Sequence, residues 1–126
     1  NLQTSIRLVQ AAVLHMRNAG WGRICLITSS SIREPISTLS MSNMARTGLW
    51  AWAKTAAKDV FAEGVTLNTV CPGLHATDRM KQLEITDKVM GDPGDFGRAV
   101  AFLCSRPAAF ISGAALVIDG AEMVGL

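Results

Sequence analysis

The residues of this chain best suited to chemistry are two hydroxyls and a cation at fixed separations: Ser29, Ser42 thirteen positions on, and Arg46 four residues after that. An i, i+4 pair shares a helix face, so Ser42 and Arg46 stand side by side on any helix that holds both. A serine hydroxyl can donate to an oxygen that gains negative charge, and a guanidinium is a permanent cation with several donors. A second group is Pro72-Gly73 with Thr77. It interrupts an apolar run at the point where a parallel strand would meet its ligand.

Such groups need a rigid floor, and the stretch from Ile24 to Glu63 supplies one: an apolar run ICLITS, a loop SSIREPIST and a long helical pattern from about Leu39 to Glu63. A continuous apolar run bounded by turn residues suits a parallel strand buried on both faces. Pro35 excludes regular helix around Glu34. Gly64 supplies the stop of the long helix. Before the strand, Ile6, Val9, Val13 and Met16 recur at helical steps between Leu2 and Asn18, and Gly20 ends that helix. In the long helix Ala45, Gly48, Ala51, Ala53, Ala56 and Ala57 permit close approach to a sheet or to a second copy. Trp50 and Trp52, two residues apart, must point in different directions, one reading being a subunit contact and the other core packing.

VTLNTVCP reads as the next strand and ALVID as the last. Between them Leu74 to Gly91 has weak helical periodicity and suits either a mobile lid over a pocket or an ordinary surface helix. Asp92, Pro93 and Asp95 form an N-cap, a proline at N1 and an acid at N3, opening a helix through FGRAVAFLCS that ends before Pro107. About three strands alternating with helices describe an α/β chain, half of a doubly wound parallel sheet, forming one domain over 1–126. The strand that begins at Arg23 would present an unpaired edge.

Composition narrows the function classes. At 49% hydrophobic and 17% charged, with mean hydropathy +0.28, the chain has material for one core and none of the signature of disorder. Twelve basic residues scattered among ten acidic ones, net +2, form no cluster that would bind nucleic acid or a membrane surface. No apolar run approaches the ~18 residues of a membrane span, and NLQTSIRLVQ has no signal-peptide pattern. Cys25, Cys71 and Cys104 are an odd count without CxxC or His spacing, which predicts reduced core thiols, a cytoplasmic setting and no metal site. His15 and His75 are single histidines without ligand spacing.

The ordered segments GRICLITS, Arg46, NTVCPGLHAT and ISGAALVIDG resemble the carboxyl-terminal half of the short-chain dehydrogenases/reductases, the 3-oxoacyl-carrier-protein reductase type above all. The resemblance covers essentially the whole chain. It implies a Rossmann-type sheet, NAD(P)H as cofactor, and reduction of a small-molecule ketone or 3-oxoacyl thioester. It also implies a homodimer or homotetramer when complete, assembled through the long helix and the last strand. On that pattern Ser29 hydrogen-bonds the substrate oxygen, Asn1, twenty-eight residues earlier, holds a water in a proton relay, and Pro72, Gly73 and Thr77 meet the nicotinamide end of the cofactor. Asn68 and Asp119-Gly120 match as structural positions.

The departure lies in the middle. Where that family has Tyr-x-x-x-Lys, this chain has Ser42-Asn43-Met44-Ala45-Arg46, and it contains no tyrosine. An alkyl hydroxyl is far less acidic than a phenol, so Ser42 cannot simply take its place. Arg46 keeps the charge and can bond ribose hydroxyls, although it remains protonated. Water or Ser29 would then deliver the proton. No strand–GxxxGxG–helix cradles a pyrophosphate here, an element that the family carries in its amino-terminal half, so the chain reads as a fragment that is inactive alone. The alternative is a dehydrogenase-fold binding or scaffold protein that has lost its proton donor. The convergence of the Ser29 hydroxyl and the Arg46 guanidinium on one cleft is the geometric test.

Overall fold

The strand β2, Val65–Pro72, is the axis on which the other elements are laid. Its residues from Val65 to Cys71 are all buried, as the unbroken run of β-branched and apolar side chains requires. On one side it pairs in parallel with β1, Gly22–Ile27, in the register Gly22↔Val65 to Ile27↔Val70. On the other it pairs in parallel with β3, Ala115–Ile118, from Thr69↔Ala115 to Pro72↔Ile118. The computed structural model describes residues 2–85 and 87–125, and within them the sheet has the order β1-β2-β3.

One face of this sheet is covered by α1, Gln3–Ala19, and α2, Ser40–Phe61. Leu49, Ala53, Ala57 and Val60 recur at steps of four, four and three along α2, so a single stripe faces the strands. They close over Leu26, Val65 and Leu67 together with Val9 and Val13 of α1. The buried alanines bring the helix axis close to the sheet, as the thin sequence implied. Trp52 packs against this core. Trp50 lies under the guanidinium of Arg33, 5.8 Å from ring to charge, so both indoles are engaged within the chain.

The other face meets α4, Pro93–Leu103. Its start follows the local signal: the Asp92 carboxylate accepts the Asp95 N–H at 2.9 Å and Pro93 occupies the first turn. The helix ends at Leu103, and a short 3-10 turn, Arg106–Ala108, takes up the residues around Pro107. Arg23 of β1 reaches across to the Ser105 carbonyl at 3.1 Å.

β1 is not the strand buried on both faces that its composition predicts. Ile24 and Cys25 are half-buried and Ile27 is 48% exposed. Side chains alternate along a strand, and the face bearing Arg23, Cys25 and Ile27 loses its cover before the strand ends. Its outer edge has no partner among the described residues, as expected. The segment between β2 and α4 is also less helical than its pattern implied. Only Asp78–Gln82 forms a helix, α3, and a bridge between His75 and Gly91 draws the two ends of the segment together.

Two glycines are required by geometry. Gly64, at φ +79, turns the chain from α2 into β2, and a Cβ there would lie 2.2 Å from the Gly20 carbonyl oxygen. Gly73 follows β2 so closely against the end of β3 that a Cβ would meet the Asp119 Cβ at 2.6 Å. Asn68 locks the same two strands from inside. Its amide donates to Ile111 O at 2.7 Å and accepts from Ala114 N at 3.0 Å, the structural role expected of it.

Candidate active site

The chemistry-bearing residues gather where β1 and β2 end. Thr28, the residue after β1, is buried, and its N–H donates to Val70 O at 2.8 Å while its hydroxyl lies 3.3 Å from the Cys71 sulfur. That contact fixes the strand tip. Ser29 continues extended at φ −167, ψ 155, and its Oγ accepts the N–H of Ser31 at 3.1 Å. The cap starts a 3-10 turn, Ser30–Ile32, whose Ser31 and Ile32 are buried. Of the three serines only Ser29 and Ser30 line the cleft beyond.

Capping leaves Ser29 free in the respect that matters. The bond to Ser31 uses a lone pair on Oγ, and among the described residues no protein group accepts the hydroxyl hydrogen. A hydroxyl held by an accepted bond and still able to donate is an oriented donor. It lines a cleft of about 510 Å³ together with Pro72, Gly73 and Leu74 at the end of β2.

Arg46 approaches the same strand tip from α2. Its Nε donates to the Ser42 Oγ at 3.1 Å and its Nη1 to the Thr28 carbonyl at 2.6 Å. The i, i+4 pair is therefore real, and Ser42 serves as an acceptor that orients the guanidinium. Arg46 and Ser42 are not among the residues lining the Ser29 cleft. The guanidinium sits behind the tip, on the carbonyl one residue before Ser29. The expected convergence of the Ser29 hydroxyl and the Arg46 guanidinium on one cleft is therefore not found: the two are linked only through the backbone at Thr28, because that carbonyl takes the cation first.

Thr77 is exposed and lines a neighbouring pocket of about 260 Å³, sharing with the main cleft the Pro72-Gly73 wall. Asn1 lies outside the described residues. His75 sets its Nδ1 3.2 Å from the Gly73 carbonyl and its ring edge-on to Phe96 at 5.0 Å, which makes it a pin of the rim. Four charged residues enter the cleft that the local pattern did not single out: Glu34, Asp87, Lys88 and Glu122. Their approach depends on long-range folding, and no spacing announces it.

Of the three free thiols Cys71 is buried, whereas Cys25 and Cys104 are half-buried, short of the core placement expected for Cys25 and Cys104. Burial pushes the Cys25 thiol up to about 12, with the neighbouring Cys104 and Cys71 adding to the effect, and burial likewise raises Cys71. Thiolate, the reactive form, is thereby suppressed. Among the described residues no group of three or more His, Cys, Asp or Glu is placed to hold a metal ion. No described helix is long and apolar enough to cross a membrane.

Parallel strands with helices on both faces define half of an open α/β sheet, and the cleft lies beyond the carboxyl ends of the strands, where such sheets bind their ligands. The chain belongs to the short-chain dehydrogenase/reductase family: the family described as Enoyl-(Acyl carrier protein) reductase matches residues 1–121. It is 33% identical over 132 aligned positions to the 3-oxoacyl-(acyl-carrier-protein) reductase FabG of Vibrio cholerae serotype O1, covering 95% of this chain and 53% of that protein. It is 32% identical to the (3R)-3-hydroxyacyl-CoA dehydrogenase of Mus musculus, covering 95% and 51%. Among solved structures it resembles a 3-oxoacyl (acyl-carrier-protein) reductase from Agrobacterium tumefaciens C58 with NADP bound, at TM-score 0.89 and 25% identity, covering 95% of this chain and 52% of that one. The chain spans about half the length of the relatives it matches.

Proposed function

We propose that this chain forms the substrate-facing part of an NAD(P)H-dependent oxidoreductase that reduces a ketone or a 3-oxoacyl thioester. The observation that carries the reading is the Ser29 donor lining one cleft with Pro72-Gly73. The relatives' names, a 3-oxoacyl-carrier reductase and a 3-hydroxyacyl-CoA dehydrogenase, belong to the same reaction class and support it.

The residues fit the nicotinamide end of such a cofactor. Arg46 uses its Nε–H and one Nη1 hydrogen on Ser42 and Thr28, so its remaining N–H groups are available to ribose hydroxyls. Pro72, Gly73 and Thr77 offer backbone and a hydroxyl beside the cleft. No glycine-rich phosphate turn occurs in these 126 residues, so the pyrophosphate would be held by other residues of a complete enzyme. The bound reduced nicotinamide supplies the hydride.

Ser29 then donates its hydrogen bond to the carbonyl oxygen and stabilises the charge that grows there. As the carbon gains the hydride, that oxygen takes the Ser29 proton, and water in the cleft returns one to Ser29. Arg46 keeps a positive field behind the strand tip, and Ser42 keeps Arg46 in place. Asn1 completes the proposed set as the holder of a relay water. A tuned phenol would contribute a general acid worth on the order of 10² to 10⁴ in rate, so the absence of tyrosine predicts a slow enzyme. The complete protein is proposed to be cytoplasmic and a homodimer or homotetramer. Met41 and Met44, exposed on α2, and Leu116, exposed on β3, support those two elements as contact surfaces.

The test is nicotinamide absorbance during incubation of the full-length protein with a panel of ketones. Turnover that falls by about a hundredfold in Ser29→Ala and in Arg46→Ala supports the reading; unchanged rates in both remove it. The missing tyrosine favours a second reading, a dehydrogenase-fold binding protein without catalysis, and cofactor binding with no turnover on any ketone would select it.

A further inference from the structure

The cleft that holds Ser29 is lined by three carboxylates, Glu34, Asp87 and Glu122, and one ammonium, Lys88. They arrive from three stretches: the loop after β1, the segment after α3, and the tail after β3. The tail is held in shape. The Asp119 carboxylate accepts the N–H of Ala121 on one oxygen and that of Met123 on the other, each at 3.0 Å, while Gly120 and Ala121 adopt φ +64 and +63. This turn presents Glu122 to Lys88 at 3.2 Å and sets the Val124 N–H on the Glu34 carboxylate at 3.3 Å.

The cation of the cleft is therefore paired with its own wall. Glu34 and Asp87 have no ion-pair partner among the described residues, and Arg46 is turned onto Thr28 and Ser42 outside the lining. Any molecule held against Ser29 meets two lining carboxylates without an ion-pair partner, while the Arg46 guanidinium stands behind the strand tip, outside the lining. Across a cleft of this size both carboxylates are within about one screening length, ~10 Å at 0.1 M salt.

We infer that this cleft selects its substrate by charge: it admits carbonyl compounds that are neutral or carry an ammonium group near the carbonyl, and it turns away those with a carboxylate there. The proposal deepens the reductase reading and rests on it for the chemical class, a carbonyl. Thioesters and esters of 3-oxo acids pass this filter, whereas the free oxo acids do not. Glu34 and Asp87 are the residues that decide.

Three probes with one skeleton test it in the full-length protein: aminoacetone, methyl acetoacetate and acetoacetate, which differ in the charge beside a common ketone. Binding is titrated by ligand-observed magnetic resonance and turnover is followed separately. The expected order is aminoacetone, then the ester, then acetoacetate, with about tenfold between the first and last at low salt. The gap should shrink severalfold near ~0.5 M salt and in Glu34→Gln/Asp87→Asn. Acetoacetate binding as well as the others overturns the proposal, as does a gap indifferent to salt or to the double variant, or a failure of all three to bind. If the variant does not fold by circular dichroism, the salt series on the unaltered protein decides. Charge-ordered binding without turnover sinks the reductase reading and leaves the filter standing; turnover without charge order does the reverse.

Discussion

The two ends of the β2 segment obey different physics. From Val65 to Cys71 every side chain is buried between helices, whereas from Ala76 to Glu84 the chain is exposed and holds only the five residues of α3 in helix, apart from the half-buried Met80. The floor is a close-packed solid in which volume is felt; the rim is a set of polar contacts open to solvent. Position is set by the first, and under the proposed charge filter selectivity is set by the second. Substitutions should therefore separate them, large changes in stability on one side and large changes in ligand preference on the other.

The largest stability effect is expected at Leu67, which is 0% exposed at the centre of the floor. Leu67→Ala should cost about 3 kcal/mol through lost transfer energy and a residual cavity. The denaturant midpoint should fall with the slope unchanged. A loss below about 1 kcal/mol would mean that the floor is not tightly packed. Next comes Asn68→Ala, which removes one acceptor and one donor at once and leaves Ala114 N and Ile111 O unpaired in a half-buried setting. About 2 kcal/mol is expected, with faster amide exchange at Ala114 as the local signature.

The half-buried Cys25 thiol gives the same contrast a pH dependence. The folded-state value of Cys25 is raised to about 12 from an ordinary 9.0, so at high pH the unfolded chain loses this proton before the folded one does. Fewer protons on the unfolded state mean that stability falls as pH rises. The contribution of Cys25 is constant below about pH 9 and declines toward pH 12. Iodoacetamide at pH 8.5 (on the order of the ordinary thiol value) should label native Cys25 at least about tenfold more slowly than the unfolded chain, as read by mass spectrometry. Equal rates would show that the thiol is not shielded.

How much of this was legible follows from the range of each signal. The bounds of β2 match the run VTLNTVCP because a β-branched stretch between Gly64 and Pro72-Gly73 is a local statement. The start of α4 is local too, since Asp92, Pro93 and Asp95 cap the helix among themselves. Ser42 and Arg46 meet because a helix makes them meet. β1 was harder, because its burial depends on helices elsewhere in the chain. The destination of Arg46 was also not readable: past the end of the ladder the Thr28 carbonyl lacks a strand partner, and a long side chain with several donors satisfies it ahead of the Ser29 hydroxyl. The rim was invisible for the plainest reason. Lys88 and Glu122 are 34 positions apart and Glu34 and Val124 are 90 apart, so only the folded chain shows that they share a wall.

Lys88→Ala should give the smallest stability change and the sharpest view of the contrast. The side chains of the Lys88–Glu122 pair are 56% and 44% exposed, and an ion pair so well solvated contributes ~0 to 1 kcal/mol, so the denaturant midpoint should barely move. Its effect on the cleft is larger, because removing the ammonium frees Glu122 and raises the lining carboxylates without an ion-pair partner from two to three. Acetoacetate binding should weaken by a further few-fold while methyl acetoacetate is unaffected, and the difference should fade with salt. If Lys88→Ala instead unfolded the chain as Leu67→Ala is expected to weaken it, the rim would be part of the floor and the division drawn between them would fail.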